Sequence, residues 1–188
     1  MRAANPTYPH PRMPAEPHTI AELARALAAR EVTAERVTER CLEAIAERNP
    51  SLNAFITVLA DEAREQARRA DADIAAGRSR GPLHGVPISL KDLIDLAGTP
   101  TTAASRVRQG HRAVADAPAV ARLREAGAVF IGKTNLHEFA LGTTSEDSAF
   151  GPARHPLDLT RSPGGSSGGS AASVVANMAF ASIGTVGG

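Results

Sequence analysis

Three stretches of this chain carry residue types that could make and break an acyl bond. Lys91 closes the apolar run in GVPISLKDLID, Arg161 to Ser173 reads RSPGGSSGGSAAS, and the final residues are SIGTVGG. A lysine at the end of a buried strand is desolvated, and desolvation disfavours its charged form. A neutral amine beside a serine hydroxyl is a competent general base. A glycine-rich loop lets backbone N–H groups approach a reacting carbonyl, as oxyanion stabilisation requires. Lysine, serine and glycine together therefore suggest nucleophilic acyl transfer that needs neither histidine nor metal.

Each piece has a plainer reading by itself. Lys91 could be half of an ion pair with Asp92 or Asp95, GGSSGGS could be a linker, and IGTVGG could be a strand end with a turn. The Ser/Gly stretch leads into AASVVANMAFASIG, however, which has the small and β-branched composition of buried structure. A linker leads away from a core, and this one leads into one. Of the 21 basic residues only Lys91 and Lys133 are lysine. Lysine can lose its proton when desolvated and arginine effectively cannot, so two retained lysines are chemically notable.

GAVFIGKT, Gly127 to Thr134, matches the nucleotide-binding pattern G-x-x-x-x-G-K-[ST] letter for letter. That motif needs a strand before its first glycine, a loop around the phosphates and a helix from its lysine. Here a helical pattern precedes Gly127 and the middle residues are those of a buried strand. The nucleotide-binding reading is rejected.

The elements that must position these residues follow from periodicity and punctuation. Residues 1–17 carry five prolines and read as a disordered tail. Thr19 opens TIAE, a capping box with Glu22, and Thr33 caps a second helix to about Glu47 that ends at Asn49-Pro50. LNAFITVL reads as a short strand, and DEAREQARRADADIAAG as a charged helix stopped by Gly77. VPISL and AVFIG read as buried strands, APAVARLREAG as a helix and LHEFALG as a short helix. HPLDLTRSP is loop, with a helix near Ser170–Met178 and a strand near Phe180–Thr185 after it. Alternating strands and helices from Gly81 onward predict an α/β layer fold behind a helical N-terminal segment.

Composition narrows the function classes. Hydrophobic residues make up 43%, enough for a core, and a net charge of +1 gives no electrostatic case for nucleic acid or anionic membranes. Aromatics at 3% leave no base-stacking platform. Cys41 falls at helical spacing with Val37 and Ile45 and reads as a small core residue. The uncharged run from Ala171 to Gly188 approaches a bilayer span, but its Ala, Gly and Ser content and Asn177 fit a buried helix and strand better. The N-terminus lacks the apolar run of a signal peptide, so a cytoplasmic protein is expected. The six histidines show no paired-ligand spacing, so neither metal nor cofactor is expected.

GPLHGVPISLKDLID, GKTNLHEFALG, SAFGPARHPLDLTRSPGGSSGGSAAS and SIGTVGG together resemble the amidase signature family, from about Thr19 to the last residue. That family includes the A subunit of the glutamyl-tRNA amidotransferase, bacterial amidases and fatty acid amide hydrolase. The resemblance implies an α/β fold, a mixed sheet flanked by helices. It would be incomplete here, with residues 18–188 as the N-terminal portion of an amidase domain. It also implies a Ser-cis-Ser-Lys triad. Lys91 matches the base and Ser166 the bridging serine beside a cis peptide bond. Ser167 and Gly168 would shape the loop, and Gly187 and Gly188 would offer backbone N–H groups to the oxyanion.

The nucleophilic serine of the family closes a motif such as GTDTGGS or GTDGGGS. Here Val186 stands where Asp or Gln is usual, and the pattern places the nucleophile two residues after Gly188. Ser170, Ser173 and Ser182 lie elsewhere and do not replace it. The expectation is amide hydrolysis or amide-nitrogen transfer through an acyl-serine, as part of a longer chain, with these 188 residues inactive alone. The alternative is a non-catalytic remnant or interaction module. A stand-alone amidase acting on small amides is slightly preferred, and a homodimer is left open. Partner subunits and tRNA are expected only of an amidotransferase subunit.

Overall fold

The computed structural model describes residues 17–186. The expected Pro-rich tail, apart from Pro17, lies outside the described residues, as do Gly187 and Gly188. Among the described residues, five α-helices and four strands fall in the order α1 (Ile20–Ala28), α2 (Ala34–Leu52), β1 (Phe55–Val58), α3 (Ala60–Ala75), β2 (Pro87–Lys91), α4 (Pro118–Glu125), β3 (Val129–Thr134), α5 (Gly168–Val175) and β4 (Ala181–Ile183). The sheet is mixed, in the order β1-β3-β2-β4. β1 runs antiparallel to β3, whereas β2 pairs in parallel with both β3 and β4.

Thr19 and Glu22 close the capping box at the start of α1, and Thr33 caps α2 through the Arg36 N–H. One expectation is corrected here. α2 does not stop at Asn49-Pro50 but carries Pro50 in its last turn and ends at Leu52, capped by Asn53, whose φ is +48°. A residue before proline is biased away from helical geometry. Here two side-chain bonds outweigh that bias: the Asn49 side chain accepts from Phe55 N at 2.8 Å and donates to Phe55 O at 3.2 Å, tying the helix end to β1. The LHEFALG segment likewise forms only a 3-10 turn at Glu138–Ala140, and Phe139 within it has a φ of +52°.

The helices α1, α2, α3 and α5 share one core with the sheet, including Leu23, Leu27, Val37, Ile45, Leu52, Ile88, Ile131 and Met178. Cys41 belongs to that core, and burial pushes its thiol up to about 12. α3 buries Ala63, Ala67 and Ala70 and turns its charges outward, where Arg64 bonds Glu39 and Arg68 bonds Glu65. A second cluster, Leu59, Leu90, Leu96, Val120 and Phe130, packs beneath α4 and the loops beside it.

The GAVFIGKT stretch is a turn followed by strand. Gly127 has a φ of +82° and packs on the His84 ring, where a Cβ would come within 2.3 Å of Cδ2. Val129–Thr134 is buried throughout, and Asn135 rather than a helix follows it. Among the described residues, no helix is long and apolar enough to cross a membrane.

Candidate active site

Successive residues of a strand point to opposite faces, and this separates the two lysines. β2 and β3 pair as Ser89↔Gly132, Leu90↔Lys133 and Lys91↔Thr134, with Ile131 left unpaired in a bulge. Ser89, Lys91 and Thr134 therefore face α5, whereas Leu90 and Lys133 face the loops on the other side.

The α5 face explains the serines of the Ser/Gly stretch. Ser166, Ser170 and Ser173 recur at helical spacing. Ser173 Oγ lies 3.1 Å from Ser89 Oγ, and Ser170 Oγ lies 2.8 Å from Thr134 Oγ1. At the open end of this row, Lys91 Nζ donates to Ser166 Oγ at 2.6 Å and to Thr185 Oγ1 at 2.7 Å. Lys91 is fully buried, and burial alone pulls its ammonium down to about 8.

Two glycines of the stretch, Gly165 and Gly169, are explained by close backbone contact. A Cβ on Gly169 would stand 2.4 Å from Asn135 O and 2.5 Å from Ala54 O. One on Gly165 would stand 2.7 Å from Thr144 N. The loop is thus pressed between neighbouring chain segments and is no linker. Gly169→Ala is expected to destabilise the fold by about 1–3 kcal/mol, the usual cost of overpacking. The urea midpoint reports it, and an unchanged midpoint would return the stretch to linker status.

The peptide bond between Gly165 and Ser166 is cis. Ser166 O accepts from His137 N at 3.0 Å and from Ser145 Oγ at 3.2 Å. Ser145 Oγ also accepts from Gly168 N at 3.0 Å, so one buried hydroxyl holds both ends of the Ser166-Ser167 step. Ser167 Oγ donates to Thr185 O at 2.9 Å and accepts from Thr185 N at 3.2 Å, clamping the segment after β4 to the loop.

Lys133 sits on the other face. It is fully buried, 3.2 Å from Asp92 Oδ1, and donates to Pro100 O at 2.9 Å and Thr101 Oγ1 at 3.2 Å. Burial pulls its ammonium down, and the Asp92 carboxylate acts against that. Asp92 Oδ2 accepts from Thr102 N at 3.1 Å and from Thr102 Oγ1. The ion pair considered for Lys91 therefore exists, but its lysine is Lys133.

The sequence model of the family described as Amidase matches residues 36–188. The chain belongs to the amidase family. It is 52% identical over 167 residues to the A subunit of the glutamyl-tRNA(Gln) amidotransferase of Acidothermus cellulolyticus, covering 89% of this chain and 33% of that protein. The corresponding protein of Thermobifida fusca is 49% identical over 89% of this chain and 34% of its own length. The native peptide amidase of Stenotrophomonas maltophilia superposes with a TM-score of 0.81 at 41% identity, covering 88% of this chain and 35% of that one. This amidase chain thus spans about a third of the length of the relatives it matches.

Of the residues singled out in the sequence, the amidase fold brings Lys91, Ser166 and Ser167 to one place. Gly187 and Gly188 lie outside the described residues. Thr185 and Ser145 belong to the same cluster and were not found by sequence reasoning. Thr185 lies within the glycine-rich SIGTVGG, but no spacing rule marks its hydroxyl. Ser145 lies in the loop TTSED, and only its φ of +56° and full burial set it apart. Among the described residues, no group of three or more His, Cys, Asp or Glu is gathered as a metal site.

Proposed function

We propose that this chain supplies the base and the relay serine of an amide-cleaving site, working as part of a longer protein. The supporting observation is a fully buried Lys91 amine 2.6 Å from Ser166 Oγ, with no carboxylate among the described residues bonded to it. In its neutral form Lys91 takes the hydroxyl proton of Ser166 while Ser166 takes that of a nucleophilic serine. The family pattern places this serine two residues after Gly188. Its oxygen attacks the amide carbon, and the tetrahedral oxyanion is received by backbone N–H groups of Gly187 and Gly188. The C–N bond then breaks, and the leaving nitrogen takes its proton back through Ser166 from Lys91. Water repeats the sequence on the acyl-serine and frees the acid. Ser167 acts on position, since its hydroxyl holds the backbone of Thr185 just before the two glycines.

Two uses of the site are supported from different sides. Identity near one half to proteins named as the A subunit of a glutamyl-tRNA(Gln) amidotransferase favours amide-nitrogen transfer, with partner subunits and tRNA. Likeness to a peptide amidase favours a small or peptide amide cleaved without partners. Ammonia release from glutamine, a peptide amide and a short aliphatic amide, measured on the full-length gene product, separates them. No release from any of the three, with or without partner subunits, would leave a non-catalytic module.

The base must be unprotonated to act. Below about 8 the rate constant kcat/KM is therefore expected to rise tenfold per pH unit, and above it to level off. A limb centred near the ordinary lysine range, above 10, would count against Lys91 as the base.

A further inference from the structure

The Lys133–Asp92 pair takes no part in the relay, yet Asp92 is the residue next to Lys91 in the chain. Both members are fully buried, and isolated buried charges are costly. The carboxylate spends itself on Lys133 and Thr102, on the face of the sheet opposite Ser166. Around Lys91 itself, the elements α5 and β4, residues 164–167 and residues 184–186 carry no titratable side chain. Lys91 and Lys133 on β2 and β3, with Asp92 and Asp95 just after β2, are the ionisable groups of these strands and their ends. The segment after β3 adds His137, whose ring faces Asp147 at 3.9 Å, and Glu138. Arg108 binds the 98–113 loop through Thr101 O at 3.2 Å.

We propose that Lys133 and Asp92 form a charge-neutral positioning pair for the acyl-transfer site, which keeps the carboxylate beside Lys91 occupied so that Lys91 serves as a free amine. The inference rests on Lys91 being the base. Removing Lys133 takes away a positive charge and releases Asp92, and both changes favour protonated Lys91. Removing Asp92 does the reverse. Removing both restores the balance, and replacing a buried pair together is often tolerated where breaking it is not.

The test is the titration of Lys91 in full-length protein carrying ε-13C-lysine, followed by NMR and assigned with Lys91→Met. It requires no turnover. Lys133→Met is expected to raise the Lys91 midpoint by about one pH unit, and Asp92→Asn to lower it by a similar amount. The double variant is expected to return it close to wild type, and the rising limb of the pH–rate profile should move with each midpoint. Single variants that leave the midpoint unmoved, or move it in the same direction, overturn the proposal. Should Lys133→Met not fold, Asp92→Asn against the double variant decides: a lower midpoint in the single variant supports the pair, and equal midpoints overturn it. Midpoints that move as expected in a protein that cleaves no amide would uphold the pair and overturn the relay instead.

Discussion

Lys91→Met is expected to lower kcat/KM for amide cleavage by about 10²–10⁴-fold, the range supplied by a positioned base. Methionine is similar in length and apolar, so it fills the space between β2 and α5 with little repacking. The substitution removes two hydrogen bonds, each worth about 1 kcal/mol net, but it also removes the cost of burying an amine. Thermal stability should therefore stay near wild type while turnover is lost. Ser166→Ala is expected to lose a comparable factor, because proton transfer between Lys91 and the nucleophile runs through its hydroxyl. Single-turnover acylation with a chromogenic amide measures both. A rate within tenfold of wild type for Lys91→Met would remove the lysine from the chemistry, whatever its contacts.

Lys133→Ala is expected to act on the fold. It leaves Asp92 buried beside an emptied space, and breaking a buried pair by removing one partner costs about 3–5 kcal/mol. With a urea dependence of about 1–3 kcal/mol per molar, the midpoint should fall by more than 1 M. Turnover per folded molecule at neutral pH should drop by no more than about tenfold, the loss that follows when the neutral fraction of Lys91 falls with a one-unit rise in its midpoint. The two lysine variants thus separate by readout, one losing rate and the other stability. A destabilisation below about 1 kcal/mol would mean that the pair is not the tie between β3 and the 98–113 loop that its bonds imply.

Much of this fold was legible because local rules and tertiary packing agree. The Thr19–Glu22 capping box, the buried strands read at VPISL and AVFIG, the Gly77 stop and the coreward spacing of Cys41 each depend on residues a few positions apart. Where a side-chain bond the pattern does not announce competes with a local bias the reading failed, as at Asn49-Pro50, where contacts to Phe55 carry the helix onward. The site followed the same division. The residue types and order of Lys91, Ser166 and Ser167 already spoke for acyl transfer, and their resemblance to a family named it.

Which lysine faces which partner was decided only in three dimensions. Lys91 and Lys133 both lie at the ends of buried strands, and along the chain either could have met Ser166 or Asp92. A bulge at Ile131 and the alternation of β2 send them to opposite faces. Face assignment depends on register between strands some 40 residues apart, and no local pattern encodes that register. Thr185 and Ser145 reach the site for the same reason: a hydroxyl acquires its role from the backbone that the sheet and α5 bring beside it. The sequence by itself determined the chemistry available to this protein, and the tertiary structure decided which side chains meet to perform it.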